Sequence, residues 1–319
     1  MNATVSTGLR PSDCRVLFGG RSAGVDLADG LPALRVALPV LAGAGEERLL
    51  ADAAAPLARA GFTLFSRGSW LAGFATALPG PDIEAAAGEL YRRLFSVVAG
   101  RHLYRVWNYV PGINAVTGGR EAYHRFCLGR SLAFEENFGR EFQRALPAAS
   151  AVGSAAGPLS LGFLAGQSAP RHFENPRQVP AFEYPPEHGP RPPSFSRATV
   201  VGSEEGRRVF ISGTAAIRGH ASVGGRDLAG QLACTLENLA LIGQATGAGP
   251  DLGASLGWQR QFKIYLRHPG DLGYVRTELD RRLLRSDDAI SFLRADICRP
   301  ELSVEIEATL AIGRLVRAG

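Results

Sequence analysis

LSVEIEATL, residues 302–310, alternates apolar and polar side chains with the period of a β-strand. Leu302, Val304, Ile306 and Leu310 take one face; Ser303, Glu305, Glu307 and Thr309 take the other. The same apolar spacing recurs at Leu159, Leu161 and Phe163 of PLSLGFLAG (158–166), at one constant offset. There Gly162 stands in place of Glu305, and Leu164 in place of Glu307. The chain therefore carries two copies of one closing strand, and only the second bears carboxylates. Glutamates on an exposed strand are ordinarily solvated. A closing strand lies inside a sheet, where its neighbours cover it, and a covered carboxylate has a raised pKa and can act as a general acid.

Working outward, the repeat extends over most of the chain. In the second half RRVFISGTAAIRGH (207–220) reads as strand, and Leu228, Leu232, Leu236, Leu239 and Ile242 share one helical face after Asp227. QFKIYLR (261–267) alternates with Phe262, Ile264 and Leu266 on one side, and Leu272, Val275, Leu279 and Leu283 mark another helix. Strands follow around Phe292–Cys298 and Leu302–Ile312. In the first half FTLFSRGSWLAGFATALPGPD (62–82) is β-like, and Ile83, Ala87, Leu90, Leu94 and Val97 form a helical face. LYRVWNYV (103–110), a helix carrying Tyr123, Phe126 and Cys127, then PAASAVG (147–153) and PLSLGFLAG complete it. Each half reads ββαβα plus two strands. The expected fold class is α+β: two tandem units, each a mixed sheet with two helices on one face. Between them QSAPRHFENPRQVPAFEYPPEHGPRPPS (167–194) is dense in proline, which forbids a central strand or helix interior. The expected organisation is an N-terminal domain over 1–166, a linker over 167–193 and a C-terminal domain over 194–319.

Composition bounds the function classes. The 319 residues are 45% hydrophobic and 20% charged, an ordinary globular balance of about two domains. No apolar run approaches the ~18 residues of a membrane span, and MNATVSTGLRPSDCR lacks the pattern of a signal peptide, so a cytoplasmic location is expected. The cysteines at 14, 127, 234 and 298 form no CxxC pair and the histidines no HExxH, so no metal site or cofactor is expected. The net charge of +5 suits an anionic small substrate. The arginines are spread rather than clustered, which argues against nucleic acid, and Lys263 is the sole lysine. Gly20-Arg21-Ser22-Ala23-Gly24 has the spacing of a hydrolase nucleophile elbow, but VDLADGLP (25–32) after it is no helix.

RVWNYVPGIN (105–114), YHRFCLGR (123–130), PAASAVG, ENPRQVPAFEYP (174–185), PSFSRA (193–198), ISGTAAIRGH (211–220) and ICRPELSVEIE (297–307) together resemble the chorismatase family. The second half alone resembles the YjgF/Rid fold, and the first a degenerate copy of it. Residues 1–60 match least. The resemblance implies an enzyme of secondary metabolism that acts on chorismate. By position it implies that Glu305 is the catalytic acid and that Cys298 matches the cysteine of members making 3-hydroxybenzoate. It places Phe195 against substrate and Gly213, Thr214 and Ala215 on the pocket floor. Arg197, Arg267, Gln178 and Tyr184 are candidates for holding carboxylates or hydroxyls, with Tyr123 and Arg130 reaching across from the first unit. Simple Rid deaminases carry a substrate-binding arginine about fifteen residues before the glutamate. Here that neighbourhood reads Asp288, Ala289, Ile290, Ser291, which disfavours imine deamination.

Chorismate is a dianion with an enol ether. Cleaving it begins by protonating the terminal methylene of the enolpyruvyl group, which demands a carboxylic acid protonated near neutral pH. Arginine matches the carboxylates bidentately. Trapping by water gives pyruvate and a dihydroxycyclohexadiene acid; aromatisation gives pyruvate and 3-hydroxybenzoate. Cys298 points to the aromatic product and Ala215 away from it. The pocket is expected beside the closing strand with the linker as one wall. A monomer is expected, because the second unit supplies in cis the neighbour that a ring of simple Rid subunits supplies in trans.

Overall fold

The structure, a computed structural model, describes residues 12–20, 23–78, 82–155, 157–203 and 206–313. Four helices occur among them: α1 (Ile83–Val97), α2 (Ala122–Phe138), α3 (Leu228–Thr246) and α4 (Leu272–Arg282). Local chemistry sets their ends. The Asp82 carboxylate accepts from the backbone N–H groups of Glu84 and Ala85 at 3.0 and 3.2 Å, capping α1. Asp227 caps α3 in the same way at Ala229, and α3 ends where Gly247 turns left-handed.

The repeat predicted from the closing strands is present in the sheets. The first sheet runs Leu57–Arg59, Phe62–Arg67, Trp70–Ala77, Leu159–Gly166, His102–Pro111, Ala148–Ser154. The second runs Arg171–Phe173, Ala198–Ser203, Gly206–Ala215, Val304–Ile312, Gln259–Leu266, Ala289–Arg294, Val40–Gly43. Five consecutive strands correspond, with the closing strand central and antiparallel to both neighbours. The last pair is parallel in each, as a strand–helix–strand crossover requires. Helices α1 and α2 cover one face of the first sheet, α3 and α4 one face of the second. The chain is thus α+β, two tandem mixed sheets with two helices on one face of each.

Residues 12–53 build what the repeat does not predict. Gly24–Ala28, Leu31–Val36, Ser12–Phe18 and Glu46–Ala53 form a third sheet of four strands. Within this segment Val40–Gly43 leaves to pair antiparallel with Ala289–Arg294, extending the second repeat's sheet. The helix-free faces of all three sheets meet in one core. Cys14, Val36 and Leu50 come from the third sheet, Phe74, Trp107 and Leu164 from the first, and Phe210, Tyr265 and Leu293 from the second. Both faces of the closing strands are therefore covered, and Leu159–Gly166 is buried throughout. Among the described residues, strand Ser12–Phe18 is followed by strand Gly24–Ala28 and not by the helix that a nucleophile elbow needs; Arg21 and Ser22 lie outside the described residues. No described helix is long and apolar enough to cross a membrane.

Helices α1 and α2 pack against one another at Gly129, where a Cβ would stand 2.0 Å from the Glu84 carbonyl oxygen. Gly129→Ala must push the two helices apart. The expected cost is about 1–3 kcal/mol, the usual range for overpacking, read from the urea midpoint. Because Arg130 follows on the same helix, any activity should fall along with stability.

Candidate active site

The polar face of the closing strand meets charges from the other two sheets. Lys263, on the adjacent strand and opposite Glu307 in register, bonds Glu307 at 2.7 Å and also Glu47 of the third sheet. Arg105 of the first sheet reaches the other Glu307 oxygen at 2.8 Å, and the Trp107 indole N–H donates to Glu307 at 2.8 Å. All four charged groups are buried. Two cations thus neutralise two anions. Burial alone would raise the Glu307 pKa, but Lys263 and Arg105 overcome it and hold the carboxyl at about 2.

Glu305, two residues earlier on the same face, has no such cation in contact. It is 4% exposed, and its Oε1 has no hydrogen-bond partner. Burial, and then the ionised Glu307, push its pKa up to about 8 against the weaker pull of Arg105 and Arg197. At neutral pH Glu305 therefore carries a proton. The carboxyl faces a small cavity lined by Tyr123, Arg130, Ala149, Ser150, Ala151, Phe195 and Gly213.

Each wall has a local cause. Strand Gly206–Ala215 bulges between Ile211 and Thr214, adding one residue opposite the closing strand. Gly213 sits in that bulge, and a Cβ there would lie 2.0 Å from Glu305 Oε1, so only glycine leaves the carboxyl its place. The Gly213 N–H donates to Ser150 Oγ at 3.0 Å, and Arg105 donates to the same oxygen at 2.5 Å. Both N–H groups thus converge on the Ser150 oxygen, at the wall of the Glu305 cavity. Arg130, 1% exposed, lies over the Phe126 ring, and its Nε and Nη2 have no hydrogen-bond partner. An unpaired guanidinium edge beside an unpaired carboxylic acid is costly unless a ligand answers both.

Tyr123 and Phe195 separate this cavity from an outer pocket that they also line, with Glu121, His124, Tyr184, His188, Pro193, Ile217, Cys298 and Arg299. The proline-dense segment supplies Tyr184, His188 and Pro193. Arg197 donates to the Tyr184 hydroxyl at 2.7 Å and to the Val179 carbonyl at 3.3 Å, and lies over the Phe195 and Tyr184 rings. Cys298 is a neutral thiol, its pKa pushed up to about 12 by burial and by Glu305.

The remaining candidates stand elsewhere. Arg267 spends its guanidinium on Asn114, Asp296 and the carbonyls of Leu302, Ile297 and Arg299, so it anchors the loop before the closing strand and lines neither pocket. Gln178 donates to the Ile217 carbonyl and ties the linker to the hairpin of strands Ile217–Arg218 and Ala221–Ser222. The Thr214 hydroxyl donates to the Ser212 carbonyl, and Ala215 packs with Ile297 and Leu302; neither lines the cavity. Ser150, Arg105, Lys263 and Glu47 were not candidates from the sequence, although PAASAVG contains Ser150 and the sole lysine is a visible oddity.

Lys263→Met leaves Glu47 and Glu307 facing one another without their shared cation. The expected loss is about 3–5 kcal/mol, as for other broken buried ion pairs. The sign with pH follows from Glu307: its folded pKa of about 2 lies below the ordinary 4.5, so its stabilisation is present above 4.5 and lost as pH falls toward 2. The difference between wild type and Lys263→Met in denaturant titrations should therefore shrink on acidification.

Residues 52–165 match the family of chorismatase FkbO/Hyg5-like N-terminal domains. Among curated proteins the chain is similar to a Streptomyces hygroscopicus "3-hydroxybenzoate synthase", 40% identical over 65% of this chain and 63% of that one, just under two thirds of its length. It is also similar to a "chorismatase" of the same organism, 39% identical over 71% of this chain and 67% of that one. A "chorismatase" of Streptomyces rapamycinicus is 36% identical over 76% and 75%. Among solved structures a crystallised chorismatase superposes with a TM-score of 0.83 at 31% identity, covering 96% of this chain and 95% of that one. With the repeated sheets, the acid on the second closing strand and relatives matched over two thirds of their length or more, the chain belongs to the chorismatase family.

Proposed function

We propose that this protein cleaves the enolpyruvyl ether of chorismate and releases pyruvate, with Glu305 as general acid. The observation that carries the reading is the pairing, in one buried cavity, of a protonated Glu305 with an Arg130 edge that no protein group occupies. Arg130 takes a carboxylate of the dianion. Glu305 delivers its proton to the terminal methylene, and the developing oxocarbenium ion lies beside the carboxylate so formed. Ionised Glu307, held by Lys263 and Arg105, favours return of the proton to Glu305 between turnovers.

The product in this reading is 3-hydroxybenzoate: chorismate divides into pyruvate and the aromatic acid with no net water. Hydrolysis would consume one water and give the dihydroxycyclohexadiene acid. The neutral Cys298 thiol beside Tyr123 and Phe195, and the relative named for 3-hydroxybenzoate, favour aromatisation. The working unit in this reading is a monomer, because the second repeat supplies in cis the neighbour that a ring of single Rid-like units would supply in trans, and light scattering should give 33.8 kDa.

Chorismate turnover with product identification tests the assignment. Glu305→Gln keeps the shape and removes the proton donor, so pyruvate release should fall at least ~100-fold, a usual contribution of general acid catalysis. Wild-type turnover in that variant overturns the mechanism. The protonated form is the active one, so wild-type kcat/KM should decline as pH rises through about 8.

Cys298→Ala separates the second assignment from the first. If the thiol steers the intermediate, pyruvate release persists while the ratio of 3-hydroxybenzoate to dihydroxylated acid changes. A fixed ratio leaves Cys298 as packing alone, worth about 1 kcal/mol of stability.

A further inference from the structure

Outside the cavity, Glu187, His188 and His220 bring three ligand-type atoms together. His188 Nε2 and His220 Nδ1 stand 3.0 Å apart. Glu187 Oε1 is 3.4 Å from the first and 3.3 Å from the second. Four ligands held tetrahedrally at the usual 2.0–2.1 Å from a zinc ion stand roughly 3.3 Å from one another. The triangle therefore has the size of one face of a zinc tetrahedron. We propose that Glu187, His188 and His220 form a site for a divalent transition metal of the zinc type, which staples the proline-dense segment to the Ile217–Ser222 hairpin at the rim of the outer pocket.

The segments that present the ligands are fixed before any metal arrives. Pro185 and Pro186 lead into the short turn Pro186–His188, so proline restricts the backbone before Glu187 and His188. His220 follows Gly219 at the tip of a hairpin of strands Ile217–Arg218 and Ala221–Ser222, paired antiparallel. Val179 donates to the Gly219 carbonyl and Gly219 to the Arg177 carbonyl, both at 3.0 Å, and Arg299 donates to the His220 carbonyl at 2.8 Å. Imidazole with carboxylate suits zinc, cobalt and nickel. Glu187 supplies the anion that offsets Arg299, and its exposure leaves the fourth position to water. Sequence spacing hides this set, because His220 lies 32 residues beyond His188 and in another segment.

Cobalt(II) is the probe, since four-coordinate cobalt bound to nitrogen and oxygen absorbs in the visible. Titrating the metal-free full chain should give one saturable visible band with one equivalent per chain, displaced by zinc. Zinc should raise the melting temperature through preferential binding to the folded chain. His220→Gln should weaken binding more than ~10-fold and abolish the thermal shift, while circular dichroism stays that of the folded protein. Glu187→Gln, on an exposed side chain, checks this without disturbing the hairpin and should also weaken binding. No saturable band, or equal affinity in wild type and His220→Gln, overturns the proposal. None of these readouts uses chorismate, so the result is independent of the proposed reaction.

Discussion

A single ammonium group joins the three sheets. Lys263 belongs to the second repeat, bonds its own neighbour Glu307, and reaches Glu47 across the interface, while Arg105 closes the cluster from the first repeat. Burying four charges is costly, and the cost is offset only when each meets its partners in good geometry. That requirement admits few ways for the sheets to face one another, and it sets the chemistry next door. Glu305 and Glu307 share a strand face, yet one is held at about 8 and the other at about 2. The two cations lie against Glu307, and its resulting charge helps keep Glu305 neutral. Two glutamates are thus given opposite protonation states by their neighbours.

Hydrogen-bond accounting sets Arg130 apart from arginines whose guanidinium groups are tied into the fold: both its Nε and its Nη2 lack a partner. Arg267 and Arg260 are saturated by carbonyls and aspartates. Arg130 is as buried as Arg260, but part of its guanidinium edge meets no acceptor. Ser150 is fixed in the same way: two N–H groups, from Arg105 and Gly213, donate to its oxygen. The bulge at Gly213 and the missing Cβ there make the room on which this arrangement depends.

Much of this was legible in the chain. The alternation of LSVEIEATL correctly assigned its faces, with Val304, Ile306 and Leu310 in the helix-covered core and Glu305 and Glu307 on the opposite side. Helical spacing located the four helices of the described residues, although α2 is buried nearly all round and showed only Tyr123, Phe126 and Cys127 as its signal. What stayed hidden has no local signature. Residues 12–53 repeat nothing elsewhere, and VLAG at 40–43 is too short to alternate, so neither the third sheet nor the added edge strand could be read. Arg130 and Arg267 are equivalent in sequence and differ only in what surrounds them. Arg105, Lys263 and Glu47 each lie on a strand, but their meeting depends on how three sheets face, which no strand pattern encodes.

The edge strand bears on the order in which the chain can mature. Val40–Gly43 completes a sheet whose other strands begin after residue 170, and the Ser291 hydroxyl bonds the Ala44 carbonyl across 247 residues. During synthesis this early segment must wait, its partner strand still unmade, until nearly the whole polypeptide has left the ribosome. Contacts of such long sequence separation bring loop-closure entropy early and reward late, which slows folding. Until it docks, Ala289–Arg294 presents an open edge able to pair with another chain. Removal of the first fifty residues would therefore damage the second repeat, far away in sequence, and expose the nascent protein to aggregation.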